Sequence, residues 1–443
     1  MSSEINYRLF RKTFRLNYTL YYKYKKSNDI KIIELIFSFL KGINYILRNL
    51  LSGVNLNLQE LDGSILLTGS TGYQREKLEY LINRLNDNEL DSKIHCLFPK
   101  IDDQSNHNFS SYSFLNNIDL LKIYYEWIKY LCLYLIKYKK NKININILVC
   151  VIKDYPIFLM NFYSALKVLD KIKPKLVMSI DPACQFTKSY EMIAYEKYKT
   201  NSLCAPFGFP SMFSKNFLAN GNSYYATYSE KYKDIINSII KNPQKTFITG
   251  DLFTKLNSKL MPNRNKIKIV TFISCPSFRD TIGKSDGQLS ELQYYYFLEF
   301  ICEFFTRKKD YQLIIRPHPA DNNLNIINFF KEKFKIKIDS LTLDDSLDYS
   351  DIILGFYSTI LFQSALHKKP YLLISWFGPN HFNLYKENYE YVSHNQYDFV
   401  RFFNNEIIYN GNNSFYDKEL ESHIKYTGNE AYEKLIKIIR QLA

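Results

Sequence analysis

"SILLTGSTGYQREKLEYLINRL", residues 64–85, decides how the chain is to be read. A short apolar strand runs into a Gly-Ser-Thr-Gly turn, and a helix follows directly. This is how the first unit of a Rossmann-like sheet begins. The turn, with Gly69, Ser70 and Thr71, then lies at the strand's C-terminal tip, where open α/β sheets bind their ligands.

The same alternation continues outward. "KIHCLF" (93–98) reads as a second strand, and two aromatic-rich helical stretches follow around 117–139 and 154–170. "KPKLVMSIDPACQ" (173–185) reads as a strand ending on Asp181-Pro182, and "SLCAPFGFP" (202–210) as another with a Gly/Pro loop. "SYYATYSEKYKDIINSII" and "KTFITGDL" close this half. A polar, proline-bearing boundary at 257–268 then gives way to a second series. It opens with "IKIVTFISCPS" (267–277) and the apolar helix 290–308. The expectation is an α/β chain of two Rossmann-like domains facing a central cleft. An N-terminal helical segment spans 1–60, the first domain 61–260 and the second 261–376. A helical segment, 377–443, follows and packs back on the first domain.

Bulk numbers fit two soluble domains: 443 residues, 46% hydrophobic and 23% charged. The net charge of +14 is dispersed. No RNA-binding, zinc-finger or helix-turn-helix signature accompanies it, so nucleic acid is not expected as a partner. An anionic membrane surface or a phosphorylated substrate suits that charge. The 7 cysteines form no CxxC pair, and most read as core residues of a cytoplasmic protein. The greasiest region, "IKIIELIFSFLKGINYILRNLL" (30–51), carries Lys31, Glu34, Lys41 and Arg48. Those charges argue against a membrane-spanning helix. They fit an amphipathic one that packs on its own domain or lies on a membrane face.

Three strand tips carry candidate chemistry. In "YQLIIRPHPADNN" (311–323), Pro317 and Pro319 end the strand and present Arg316 and His318 on stiff backbone. In "DIILGFYSTILFQSALHKKP" (351–370), Gly355 is followed by Ser358 and Thr359 at a helix start, which offers hydroxyls and free N–H groups to an anion. Asp181 stands at a tip in the other half. Ser274 and Ser277 end the first strand of the second half and are candidates for phosphate contact. His367, in "ALHKKP", reads as a surface or capping residue, and Asp344-Asp345 as lying in a loop or, as N-terminal charge, at a helix start.

The order of pieces over 64–376, with His318-Pro319 and Ser358-Thr359, resembles GT-B glycosyltransferases of bacterial surface-polysaccharide synthesis. It is most similar to the sialyltransferase, polysialyltransferase and Kdo-transferase-like group. The resemblance implies an inverting, metal-independent transferase of capsule or lipopolysaccharide-type glycans. Its donor would be a nucleotide sugar, a CMP-linked sialic acid, Kdo or related nonulosonic acid. Its acceptor would be a glycan or glycolipid, with no cofactor. Asp181 would serve as base and His318 beside the leaving phosphate. Arg316, Pro319, Gly355, Ser358, Thr359, Ser274 and Ser277 would bind the donor, while Gly69, Ser70 and Thr71 would face the acceptor. The chain departs from the pattern in having Pro182-Ala183 after Asp181, "PFGFPS" in place of a Gln-His-Gly, and Gln363-Ser364 in place of Glu-Ala. CDP-glycerol or CDP-ribitol phosphotransferases, UDP-sugar 2-epimerases and an inactive glycan-binding subunit stay open beside it.

Overall fold

The computed structural model describes residues 63–69, 72–86, 93–99, 108–138, 145–181, 184–206, 224–240, 245–253, 267–274, 290–318, 324–356, 360–367, 369–377, 392–404 and 424–443. The segment expected to be helical at 1–60 lies outside these.

The first sheet joins seven parallel strands in the order β3-β2-β1-β4-β5-β6-β7. They are β1 (Ile65–Thr68), β2 (Ile94–Phe98), β3 (Asn108–Ser110), β4 (Leu176–Ser179), β5 (Asn201–Cys204), β6 (Tyr224–Thr227) and β7 (Thr246–Ile248). All four residues of β1 are buried, because helices cover both faces of the sheet. Leu66 points into one core, with Val177, the helix α2 (Asn117–Tyr138) and the helix α3 (Ile145–Ile172). Ile65 and Leu67 point into the other, with α1 (Gly72–Asn86). The period-2 alternation of strand side chains thus divides four residues between two cores.

Helix α3 begins at Ile145, well before the start expected near 154, and carries Pro156 inside it. A proline there removes one backbone hydrogen bond. Val151, Ile152, Tyr155, Phe158 and Leu159 are buried around it, and their burial outweighs that loss. Next come α4 (Gln185–Ile193), which runs into a π turn (Ala194–Tyr198), and α5 (Glu230–Ile240).

The second sheet has six parallel strands in the order β10-β9-β8-β11-β12-β13. These are β8 (Lys268–Ile273), β9 (Tyr311–Arg316), β10 (Lys337–Ile338), β11 (Ile352–Gly355), β12 (Tyr371–Ile374) and β13 (Val392–Ser393). Helices α6 (Glu291–Arg307), α7 (Leu324–Phe334), α8 (Leu343–Tyr349) and α9 (Ile360–Leu366) connect them. A reciprocal capping box between Ser290 and Gln293 starts α6. The second unit does not stop at 376. Phe399, Phe402 and Phe403 of α10 (Gln396–Asn404) enter its core beside Phe272 and Phe297, and β13 extends its sheet.

The last helix, α11 (Gly428–Leu442), packs on the first unit, where Ala431, Tyr432, Leu435 and Ile439 join Ile65, Leu67 and Leu78. It clasps the strand-exit segment 249–253. The Asp251 N–H donates to Tyr426 O at 2.8 Å, and the Tyr432 hydroxyl donates to Leu252 O. Gly250 (φ +82°) lies against the backbone here: a Cβ would sit 2.0 Å from Tyr426 O. Among the described residues no helix is long and apolar enough to cross a membrane.

Candidate functional site

Each sheet has a point where successive connections leave in opposite directions, and a crevice opens there beyond the C-terminal strand ends. In the first sheet β1 lies between β2 and β4, so the crevice lies between the ends of β1 and β4, where Thr68 pairs with Ser179. Gly69 and Asp181, both singled out in the sequence, follow those two ends. The Gly69 N–H donates to Leu97 O at 3.1 Å, which fixes the β1 tip to β2. Asp181 is partly buried. Its carbonyl accepts from Thr187 Oγ1 at 3.0 Å, which ties the β4 tip to the first turns of α4. Ser70 and Thr71 lie outside the described residues.

Directly behind the β4 tip is a buried polar cluster that the sequence did not announce. Lys188 Nζ lies 2.6 Å from Glu191 Oε2, with side-chain exposures of 5% and 1%. The Ser179 hydroxyl donates to the other oxygen of Glu191. The ammonium also stands 5.7 Å from the centre of the Tyr225 ring. Burial by itself would lower the Lys188 pKa, but Glu191, with Tyr225 and Cys204, carries it above the ordinary ammonium range. The pair joins α4 to β4 and β6. A Lys-x-x-Glu spacing on a helix is common, and only burial distinguishes this one.

In the second sheet the crevice lies between β8 and β11, where Ile273 pairs with Gly355; Ile273 also pairs with Arg316 of β9 on the other side. Arg316, Ile273 and Gly355 form one row across three strands. Ser274 comes directly after it, and His318, partly exposed, two residues past Arg316. The Ser274 N–H donates to Arg316 O at 2.9 Å, and its hydroxyl lies 2.6 Å from the hydroxyl of the buried Tyr294. Gly355 is required by packing: a Cβ would meet the Tyr371 hydroxyl at 2.5 Å. That hydroxyl donates to Phe356 O at 2.7 Å, so Tyr371 supports the backbone where β11 ends.

Arg316, expected to bind the donor, gives one guanidinium nitrogen to contacts within its own unit. Its Nη1 lies 2.9 Å from Asp339 Oδ2, 2.7 Å from Leu341 O and 2.7 Å from Ser346 Oγ. Burial alone would raise the Asp339 pKa; bonds from Ser346, the Leu341 N–H and Arg316 hold it below the usual value. This nitrogen braces β9 against the β10–α8 connection. Pro319, Ser277, Ser358 and Thr359 lie outside the described residues.

His367 corrects the surface reading. Its side chain is 1% exposed, with Nδ1 2.6 Å from Asp348 Oδ1 and Nε2 3.5 Å from Asp344 Oδ1. Burial would lower its pKa, yet the two aspartates raise it above the ordinary imidazole value. It pins the end of α9 to α8. Of the two placements open to Asp344 and Asp345 the structure has the helix start: Thr342 caps α8, and both acids lie in its first turn. Among the described residues, no three His, Cys, Asp or Glu side chains gather in a way that could hold a metal.

No family model matches the chain, and no curated protein sequence does. Solved structures do resemble it. S. aureus MnaA in complex with UDP aligns over 86% of this chain and 97% of its own, at 12% identity and a TM-score of 0.54. The UDP-GlcNAc 2-epimerase of Methanocaldococcus jannaschii aligns over 85% and 99%, at 12% identity and a TM-score of 0.52. The Neisseria meningitidis UDP-GlcNAc 2-epimerase bound to UDP-GlcNAc aligns over 85% and 100%, at 13% identity and 0.50. At such identities what is shared is the fold. This chain has the GT-B architecture, two Rossmann-like units facing a central cleft.

Proposed function

We propose that the protein is an enzyme of glycan assembly that binds a nucleotide sugar between its two units and transfers the sugar to a hydroxyl of a glycan or glycolipid. One observation carries this reading: the residues that flank the two crevices, Gly69 with Asp181 and Ser274 with Gly355, are those the sequence marks as chemical. Fold alone does not assign chemistry. The placement of an acid on one unit, and of a histidine and small residues on the other, suits displacement at an anomeric carbon.

In this mechanism the Asp181 carboxylate accepts the proton of the acceptor hydroxyl as its oxygen attacks the anomeric carbon. The carbon–oxygen bond to the donor phosphate breaks on the opposite side, which inverts the centre. His318, protonated beside the phosphate, donates a hydrogen bond to the departing oxygen. Backbone and hydroxyl groups of the 274–277 and 355–359 tips bind the phosphates without a metal. Pro319 stiffens the His318 tip. The motif pair His318-Pro319 and Ser358-Thr359 supports a CMP-linked ulosonic acid such as sialic acid or Kdo as donor.

The test is acceptor-dependent release of nucleotide. Asp181→Asn and His318→Ala are each expected to lower kcat by roughly 10²–10⁴-fold with the fold intact by circular dichroism. Full activity of both variants rejects the mechanism. A thermal-shift series of CMP, CDP, UDP and UMP reads the donor, since a ligand at 100 times its Kd stabilises by about 2.7 kcal/mol. The likeness to 2-epimerases favours one second reading, epimerisation of a UDP-sugar. Conversion of UDP-GlcNAc with no acceptor present would establish it and displace transfer.

A further inference from the structure

Helix α2 is apolar on both sides. Its inner face buries Leu120, Ile123, Trp127 and Tyr134, and the Trp127 indole donates to Val151 O of α3 at 3.0 Å. Its outer face repeats Ile118, Leu121, Tyr125, Cys132 and Ile136, all exposed, with Ile118 at 75%, Leu121 at 63% and Ile136 at 71%. These positions follow the 3.6-residue period and form one stripe. A helix that is apolar all round normally has both faces covered.

The charges on the stripe indicate what covers it. Lys122 and Lys129 are exposed among the apolar side chains, and the Lys129 ammonium lies 5.7 Å from the Tyr125 ring. The helix has two acids. Asp119 is buried, with its carboxylate 3.1 Å from Lys167 Nζ, and Glu126 is half-buried. Lys137, Lys139, Lys140 and Lys142 then follow within "KYKKNK". A second copy of the same face would set lysines against lysines across a two-fold interface. An anionic bilayer suits the face on both counts. Headgroup phosphates take the lysines, and the upper acyl region takes Ile, Leu and Tyr.

We infer that the outer face of α2 is a docking surface for an anionic phospholipid membrane, with the helix lying in the interface plane. This inference is independent of the chemistry proposed for the crevices. The test is sedimentation of the full chain with phosphatidylcholine vesicles, with and without about a third phosphatidylglycerol. The parent is expected to sediment with the anionic vesicles only, and to be released by 0.5 M salt, which shortens the screening length to a few ångströms. Lys122→Gln/Lys129→Gln is expected to weaken partitioning by about 30-fold, at about fivefold per lysine. Ile118→Ser/Leu121→Ser/Ile136→Ser is expected to abolish it. All five positions are exposed, so circular dichroism and melting temperature should stay at the parent values. Equal binding to neutral vesicles overturns the inference, as does unchanged binding by either variant. A parent dimer that the same substitutions dissolve also overturns it, because a second copy is then the occupant.

Discussion

Replacing Lys188 by methionine removes an ammonium and leaves its partner in place. Glu191 would then keep a carboxylate that is 1% exposed, with the Ser179 hydroxyl as the donor left to it from the present cluster. Breaking one side of a buried pair costs about 3–5 kcal/mol, since an uncompensated charge remains. At roughly 2–4 °C per kcal/mol for a unit of this size, the melting temperature should fall by roughly 6–20 °C. Exchanging both partners, Lys188→Met/Glu191→Leu, removes both charges and should return to within about 1–2 kcal/mol of the parent. Urea unfolding of the three proteins reads both expectations. If Lys188→Met lies within 1 kcal/mol of the parent, or the double variant is no more stable than the single, the pair is not the buried charge cluster described.

Gly250→Ala forces a left-handed φ on a residue with a side chain and drives its Cβ against Tyr426 O. It should destabilise by more than the 1–2 kcal/mol of the backbone penalty alone, and should speed proteolytic release of α11. Gly355→Ala meets the Tyr371 hydroxyl and should lower stability; adding Tyr371→Phe removes the atom met at 2.5 Å and should recover part of it in denaturant unfolding. The raised pKa of His367 means that the folded state holds its proton more tightly than the unfolded one. The stabilisation is then full below about pH 6.5 and lost as pH rises through the folded value. The parent's advantage over His367→Gln in urea should therefore narrow from pH 5.5 to pH 9; a constant difference would count against the two-aspartate clamp.

Much of the fold is legible in the sequence, because buried parallel strands write themselves as short apolar runs ending in Gly, Ser, Asp or Pro. "SILLTGS", "LVMSID" and "DIILG" all became central strands. Strand β3 is not legible in the sequence, since three residues at a sheet edge leave no apolar pattern. The start of α3 lies at Ile145 and not near 154, and a helix interior holding Pro156 is not what a proline suggests in sequence. At the site the sequence marks the strand tips but not what supports them. Nothing in "KSYE" separates a buried Lys–Glu pair from a solvated one. Nothing in "LIIRPHP" announces Asp339, Leu341 and Ser346, which one nitrogen of Arg316 meets. The apolar outer face of α2 was hidden for the same reason: a period of hydrophobic residues does not say on how many sides the helix is covered.

The clasp of α11 around residues 249–253 bears on the order in which this molecule can be completed. On the ribosome, the lower-numbered unit is synthesised first, yet one face of its sheet has only part of its cover, from α1, until residues 424–443 have emerged. The higher-numbered unit has every strand and helix it needs before then. A stop codon in the last few dozen positions would therefore spare the unit nearer to it and cripple the distant one.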